Sequence, residues 1–301
     1  MTYHTPVLLH NCIEGLHLKP DGTYVDVTFG GGGHSRAILE KLGPNGKLYA
    51  FDQDPDAAAN VPDDPRFTLI QQNFRFMKNF LRMYGAIPVD GILADLGVSS
   101  YQFDTPGKGF SIRFDAPLDM RMNPNSGSSA ADILMNYSEE ELRRMFKEYG
   151  ELIEAGKLAR HFMNARADRK PDTTAKLLDL IRPFMKRGQE HQFAARVFQA
   201  FRIEVNDEIG ALKDFLKQSL EVLKPNGRLV VMSYHSLEDR LVKNFIRNGK
   251  FEGEAEKDFF GNVKVPLKAI NRKPIRPDEN ELIENNRSRS AILRIAERTD
   301  I

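Results

Sequence analysis

Four consecutive glycines, Gly30 to Gly33, separate a β-branched and aromatic run, Thr23 to Phe29, from a segment, His34 to Leu42, whose apolar residues Ala37, Ile38 and Leu42 recur at helical spacing. Glycines between a strand and a helix allow positive φ and close approach of the backbone to a ligand, and the helix start offers amides to an anion. A tight structural turn needs fewer than four. Three more strand-like runs end at a carboxylate or an amide: Lys47 to Phe51 before Asp52, Phe67 to Ile70 before Asn73, and Val89 to Ala94 before Asp95. In a parallel sheet the carboxyl ends of the strands share one edge, and ligands of open α/β sheets bind outside that edge.

The spacing narrows the ligand. A dinucleotide fingerprint, G-x-G-x-x-G, counted from Gly30 or Gly31 needs glycine at 35 or 36, where Ser35 and Arg36 stand. Asp52 lies 21 residues after Gly31, where a carboxylate accepts bonds from two ribose hydroxyls. S-adenosylmethionine has the ribose without the pyrophosphate, and its methionine amino and carboxylate groups suit a glycine loop followed by a helix start. Phe74, after the third strand, is placed either to stack on adenine or to pack in the core.

The elements that position these residues alternate. Strands at 23–29, 47–51, 67–70 and 89–94 are interleaved with helices at 34–42, 54–60 and 75–84, which argues for a parallel sheet covered on both faces. Alternation stops after Asp95. Residues 97–113 read as loop, and from about Ser129 to Arg202 the pattern is helical throughout, with Ser138 and Glu141 forming a capping box. A helix from about Glu204 to Leu223, closed by Lys224-Pro-Asn-Gly227, leads back to a strand at Arg228–Ser233, and a late strand at Ser290–Ile295 completes the sheet. The expected organisation is an α/β domain at 1–103 and 201–301, carrying an inserted all-helical domain at 104–200.

Composition bounds the rest. The 301 residues are 41% hydrophobic and 28% charged, enough apolar mass for a real core. The net charge of +1 excludes a uniformly basic chromatin-type protein and an acidic disordered chain. Charge is nonetheless segregated. Arg143 to Arg202 holds 14 Lys or Arg against 7 Asp or Glu, a net of +7 that leaves −6 for the remainder. Either a polyanion binds there or the helices have an ordinary solvated surface. A second basic stretch, Lys264 to Arg276, contains no acid, and its prolines Pro266 and Pro274 argue for an extended loop. The single cysteine, Cys12, permits no intrachain disulfide. No apolar run nears the roughly 18 residues of a membrane span, and the first residues lack the features of a signal peptide. The expected compartment is the reducing cytoplasm. The seven histidines show no paired metal spacing, so no metal ion is expected.

Taken together, the blocks His4-Thr-Pro-Val-Leu-Leu9, Asp26-Val-Thr-Phe-Gly-Gly-Gly-Gly-His-Ser35, Asp52-Gln-Asp-Pro55, Asp95-Leu-Gly-Val-Ser-Ser100, Gly109-Phe-Ser111, Pro117-Leu-Asp-Met-Arg-Met122, Phe198-Gln-Ala-Phe-Arg-Ile203, Ser233-Tyr-His-Ser-Leu-Glu-Asp-Arg240 and Arg287-Ser-Arg-Ser290 run essentially end to end. In this fixed order they resemble the bacterial RsmH/MraW family of S-adenosylmethionine-dependent methyltransferases, which modify the cytosine amino group at the decoding centre of 16S ribosomal RNA. The resemblance implies a class I (Rossmann-like) methyltransferase fold with an inserted helical substrate-recognition domain, and 16S rRNA, free or within the small subunit, as partner. It places cofactor contacts at Gly32, Gly33, His34, Asp52, Phe74, Asp95 and Gln102.

The sulfonium is already a reactive methyl donor, so the protein's task is orientation, worth up to roughly 7–11 kcal/mol in favourable cases. The cytosine amine is a poor nucleophile because its lone pair is delocalised, and an acceptor on its N–H favours localising that pair. Asp95 is the candidate catalytic acceptor, or else a cofactor anchor. Ser233 and His235 are candidate contacts to the base, and Ser236 to Asp239 reads as a helix start with its own cap. Two rivals remain open at this level. A dinucleotide-dependent oxidoreductase shares the early β-α-β pattern but lacks the fingerprint. A non-catalytic RNA-binding protein explains the basic insert but not four ligand-facing strand ends.

Overall fold

The computed structural model describes residues 6–168, 170–256, 260 and 265–300. His4, Arg169 and Lys264, which belong to sequence features noted above, lie outside them. The chain forms two compact units, residues 1–97 with 209–301, and residues 98–208. The stretch expected as an insert, 104–200, lies inside the second.

In chain order the elements are α1 (Leu9–Leu16), β1 (Thr23–Asp26), α2 (Gly33–Lys41), β2 (Lys47–Phe51), β3 (Phe67–Ile70), α3 (Met77–Met83), β4 (Val89–Asp95), α4 (Ser100–Asp104), α5 (Ala130–Asn136), α6 (Glu139–Glu148), α7 (Ala155–Asp168), α8 (Thr174–Ile181), α9 (Glu190–Asn206), α10 (Glu208–Val222), β5 (Leu223–Ser233), α11 (Ser236–Asn248), β6 (Leu267–Ala269), α12 (Glu279–Glu284) and β7 (Ile292–Arg298).

The first unit is built on a seven-stranded sheet in the order β3-β2-β1-β4-β5-β7-β6. The first five strands in that order are parallel, and β7 runs antiparallel to both β5 and β6. Successive residues alternate between two cores, as a pleated strand requires. Val25, Ile92, Leu229 and Val231 pack on one face with Met77, Leu81 and Phe215, while Tyr24, Leu93, Val230 and Met232 pack on the other with Leu16 and Ile38. Burial on both faces explains why these strands read as nearly continuous apolar runs. Strand order reverses at β1, whose neighbours are β2 and β4, so the loops after β1 and β4 diverge and leave the crevice in which such sheets bind ligands.

Several elements depart from the sequence expectation, each for a local reason. β1 ends at Asp26 because that side chain turns back to bond Thr28 and Ser35. The segment after β2 is a 3-10 turn, Pro55–Asn60, capped by the Asp54 carboxylate. The helix expected from Glu204 belongs to two helices, broken where Asp207 takes φ 45° between α9 and α10. Pairing of β5 to β4 jumps from Leu223 to Arg228, so Lys224-Pro-Asn-Gly227 bulges out of the ladder, with Asn226 at φ 62°. Part of the expected basic loop, Leu267–Ala269, is instead an edge strand.

The second unit is helical but not helical throughout, its segments interrupted at 149–154 and 182–189. Its core gathers the apolar faces of α5 to α9, with the Phe146 ring stacked on Phe162 at 5.4 Å and edge-on to Phe201 at 5.6 Å. The expected capping box is present, with Ser138 Oγ accepting from the Glu141 amide and donating to its carboxylate. No helix among the described residues is long and apolar enough to cross a membrane. Removing the Phe146 ring leaves a void between two aromatic neighbours, so Phe146→Ala is expected to cost about 3–5 kcal/mol. Denaturant unfolding checks this, with hydrogen exchange showing the loss of protection concentrated in residues 98–208.

Candidate active site

Three carboxylates crowd the carboxyl edge of the sheet in the first unit. Asp26, at the end of β1, accepts from Ser35 Oγ at 2.7 Å and from the Thr28 amide at 3.1 Å. It is buried and ties the start of α2 to β1, and burial pushes its carboxyl above the usual range. Asp52 follows β2. Its Oδ2 accepts from the Gly30 amide at 2.7 Å and its Oδ1 from the Asp54 amide at 2.8 Å. Asp95 ends β4, where its amide donates to Thr28 Oγ1 at 2.7 Å.

The glycine loop is pinned by its neighbours. Asn60 Nδ2 donates to the Gly30 carbonyl at 3.0 Å and Arg36 to the Gly31 carbonyl. Gly32, the N-cap of α2, takes φ 74°, a conformation that side chains with a Cβ resist. A Cβ on Gly33 would sit 2.3 Å from the Pro6 ring. No side chain caps α2, so its first-turn amides remain available to an acceptor.

Asp95 reaches two further side chains. Tyr234 Oη donates to its Oδ1 at 2.8 Å, and His34 Nδ1 lies 3.8 Å from its Oδ2. Its side chain is 23% exposed and that of His34 only 6%. Desolvation pushes the Asp95 carboxyl up to about 6, opposed by His34 and the Tyr234 hydroxyl and reinforced by Asp26 and Glu238. Asp52 is likewise pushed up to about 6, by burial first, with Asp54 and Asp26 adding to it. Burial lowers the His34 pKa, favouring the neutral ring, whose Nε2 lies 3.3 Å from the Val7 carbonyl.

The structure therefore brings Gly32, Gly33, His34, Asp52 and Asp95 to one edge, the last joined to His34 and Tyr234. Phe74 stands in a short turn after β3, half-buried and edge-on to Phe215 at 5.6 Å. Gln102 belongs to the second unit, where it closes a capping box with Ser99, its Oε1 accepting from the Ser99 amide at 3.1 Å. Ser233 is 1% exposed and its hydroxyl donates to the Ile292 carbonyl at 3.4 Å. The N-cap of α11 is His235 and not the expected Ser236. Its Nδ1 accepts from the Glu238 amide at 3.4 Å, while the buried Nε2, 3.2 Å from Glu238 Oε1, makes no hydrogen bond. Sequence reasoning missed Tyr234 and singled out neither Asp26 nor Thr28. All three lie inside quoted blocks, but nothing in spacing alone marks a tyrosine between two candidate contacts as the one whose hydroxyl reaches Asp95.

This strand order, with a glycine loop after β1 and acidic ends on β1, β2 and β4, defines a Rossmann-like methyltransferase. The profile of the MraW methylase family matches residues 1–299, and the chain belongs to that family, whose methyl donor is S-adenosylmethionine. It is 58% identical over 298 residues to a Flavobacterium johnsoniae protein named ribosomal RNA small subunit methyltransferase H, covering 99% of this chain and 98% of the relative. A protein of the same name from Parabacteroides distasonis is 57% identical over 297 residues, covering 98% and 97%. Among solved structures, an rRNA methylase from Streptococcus thermophilus aligns at 12% identity and a TM-score of 0.43 over 100% of this chain and 99% of that one.

Because its folded pKa lies above the ordinary aspartate value, Asp95 binds a proton in the folded protein at pH values where the unfolded chain has released it. Ionising it therefore costs folding stability as pH rises from about 4 to about 6, by up to roughly 3 kcal/mol. Asp95→Asn removes that cost while keeping an acceptor for Tyr234. The stability of the variant relative to the parent is expected to increase between pH 4 and pH 7, measured by denaturant unfolding without cofactor. A pH-independent difference would show that Asp95 is not desolvated.

Proposed function

We propose that the protein transfers the methyl group of S-adenosylmethionine to the exocyclic N4 of a cytidine in the decoding centre of 16S rRNA. The observation that carries this reading is the partly exposed Asp95 carboxylate, fixed by the Tyr234 hydroxyl at the edge where the glycine loop and Asp52 converge. The names of the relatives supply the small-subunit rRNA.

The residues present fit the cofactor. Each Asp52 oxygen accepts one backbone N–H and retains acceptor capacity for a ribose hydroxyl. The uncapped start of α2 and the Gly32–Gly33 backbone suit a carboxylate. Phe74 offers an aromatic surface for adenine. The cofactor supplies an electrophilic methyl group on a positively charged sulfur.

The chain's own groups act on the acceptor. With a pKa of about 6, Asp95 is mainly ionised at pH 7, so it accepts from the N4–H of cytosine and favours localisation of the nitrogen lone pair as the new bond forms. It is also the base proposed to take the proton that N4 must lose. Tyr234 holds one Asp95 oxygen and leaves the other for the amine, so it is a positioning residue. Of the two expected base contacts, the Ser233 hydroxyl already donates to the Ile292 carbonyl, and the His235 Nε2 is buried 3.2 Å from Glu238 Oε1. A base within a stack must leave it to be modified, so the target is single-stranded or flipped.

The helical unit is proposed to hold RNA phosphates. Several of its cations are already committed within the unit, Arg143 to Glu140, Lys157 to Glu154, Lys176 to Asp172 and Arg182 to Asp179. Lys186 and Arg187, exposed beside Gly188, are in none of these pairs.

Transfer of labelled methyl groups to small-subunit rRNA, followed by mapping of the modified nucleotide, tests the assignment; no transfer, or transfer to another base, would overturn it. Two variants separate the roles. Asp52→Ala is expected to weaken cofactor binding by about 1.5–3 kcal/mol for each charged hydrogen bond lost, seen in calorimetry. Asp95→Asn is expected to lower single-turnover methyl transfer at saturating RNA and to remove the loss of rate on acidification, whose midpoint in the cofactor-bound parent falls below the value of about 6 held by the protein alone.

A further inference from the structure

In the first unit, a groove of about 650 Å³ lies where α11 faces the β6–β7 edge of the sheet. Its rim carries Lys243 and Arg247 from α11, Lys268 from β6 and Arg272 from the segment that follows, all four exposed. None of the four has an ion-pair partner among the described residues, and no Asp or Glu among them lines the groove. The fifth cation there, Arg294, is committed to Asp239 by two hydrogen bonds of 2.6 and 3.0 Å. The floor is apolar, with Ile246, Leu267 and Ile295 each no more than 6% exposed.

The cations are held in place. Lys243 and Arg247 are four residues apart and share one face of α11. Asn271 locks the segment beside Arg272 to β7, its Nδ2 donating to the Leu293 carbonyl at 3.2 Å and its Oδ1 accepting from the Ile295 amide at 2.7 Å. A lysine on an edge strand often serves only to discourage edge-to-edge pairing. That accounts for Lys268 alone and not for two cations on a helix and a third on a pinned turn.

We infer that this groove binds the sugar–phosphate backbone of the RNA strand that carries the target nucleotide. The inference rests on the RNA reading given under Proposed function. Among the described residues four like charges converge without a counter-charge, which fits a polyanion, and no aromatic side chain among them lines the groove to stack bases, so the contact inferred is to phosphates and independent of sequence. Position supports the same occupant. Lys243 lies eight residues along α11 from His235, about 12 Å at the helical rise, so a strand whose base reaches the Asp95 edge meets the groove within a few nucleotides.

The test compares the full-length parent, the variant K243Q/R247Q/K268Q/R272Q and the control K41Q/K47Q, which removes two exposed lysines elsewhere on the first unit. Binding of small-subunit rRNA and of poly(U) is measured over a range of salt concentrations, alongside cofactor affinity, thermal unfolding and labelled-methyl transfer. The groove variant is expected to bind both RNAs at least tenfold more weakly and to flatten the slope of log K against log salt by about 3, at about 0.7 per phosphate contact on a single strand. Its cofactor affinity and melting temperature are expected to match the parent, and the control to match it in every respect. An unchanged salt slope, or an equal loss in the control, overturns the groove, as does parent-like RNA binding coupled to loss of binding to anionic phospholipid vesicles. Failure of the parent itself to methylate rRNA overturns the functional reading instead, so the two failures are distinguishable.

Discussion

Burying carboxylates at the ends of β1, β2 and β4 is the constraint on which the rest of the first unit depends. The carboxylates that act on Asp95 are Asp26 and Glu238, opposed by His34 when its ring is protonated, and those that act on Asp52 are Asp54 and Asp26. Among the described residues no lysine or arginine acts on them, so the site holds negative charge at pH 7 that is only partly compensated, and desolvation makes that charge expensive. A positively charged ligand relieves the cost. This is why a site that spends folding stability on unpaired carboxylates suits a sulfonium, and why the backbone around them is tightly bonded: amides of Gly30 and Asp54 hold Asp52, and Ser35 and Thr28 hold Asp26.

The sheet order follows from the same requirement. Parallel strands covered on both faces gather their carboxyl ends at one edge, and the reversal of order at β1 opens the crevice there. β7 then returns antiparallel beside β5 and pairs Ile292 with Ser233, which fixes where β5 stops and the chain turns into α11. Tyr234 and His235 are set at that turn. Glu238 stabilises it twice, its carboxylate accepting from the Tyr234 amide and its own amide donating to His235. One short turn therefore aims the Tyr234 hydroxyl at Asp95 and caps the helix whose later residues form the basic groove.

What was legible in the sequence, and what was not, divides along physical lines. The strands of the sheet and the acidic strand ends were readable because burial on both faces demands apolar runs and because polar residues interrupt them only at the ligand edge. The capping box at Ser138 was readable because its two partners lie three residues apart. Features that depend on long-range registration were hidden. β6 has only three residues, and pairing with β7, not local propensity, makes it a strand; the prolines at 266 and 274 flank it without preventing it. The Tyr234–Asp95 bond spans 139 residues of sequence. The cap of α11 was misplaced by one residue because serine is the commoner N-cap and histidine rarely fills the role. The break at Asp207 leaves no pattern, since aspartate is one of the few residues with a Cβ that enters the left-handed region at modest cost.

Net charge conceals the most functional property of the molecule. A value of +1 describes a protein with acidic interior strand ends and basic helices and edges. The two signs act on different parts of the reaction. In the proposed reaction, carboxylates at the strand ends act over a few ångströms on the methyl donor and on the amine, where low dielectric strengthens each contact and salt has little influence. Exposed lysines and arginines, on the proposed reading, act on phosphates through screened fields, and their effect on affinity falls with salt. Were the cations placed among the carboxylates, they would pull the Asp95 pKa down, weaken it as a base and compete with the sulfonium. Segregation leaves the Asp95 carboxyl near 6 in the protein alone, and a bound sulfonium would lower it further, so the group proposed to accept the amine proton is ionised before the reaction starts.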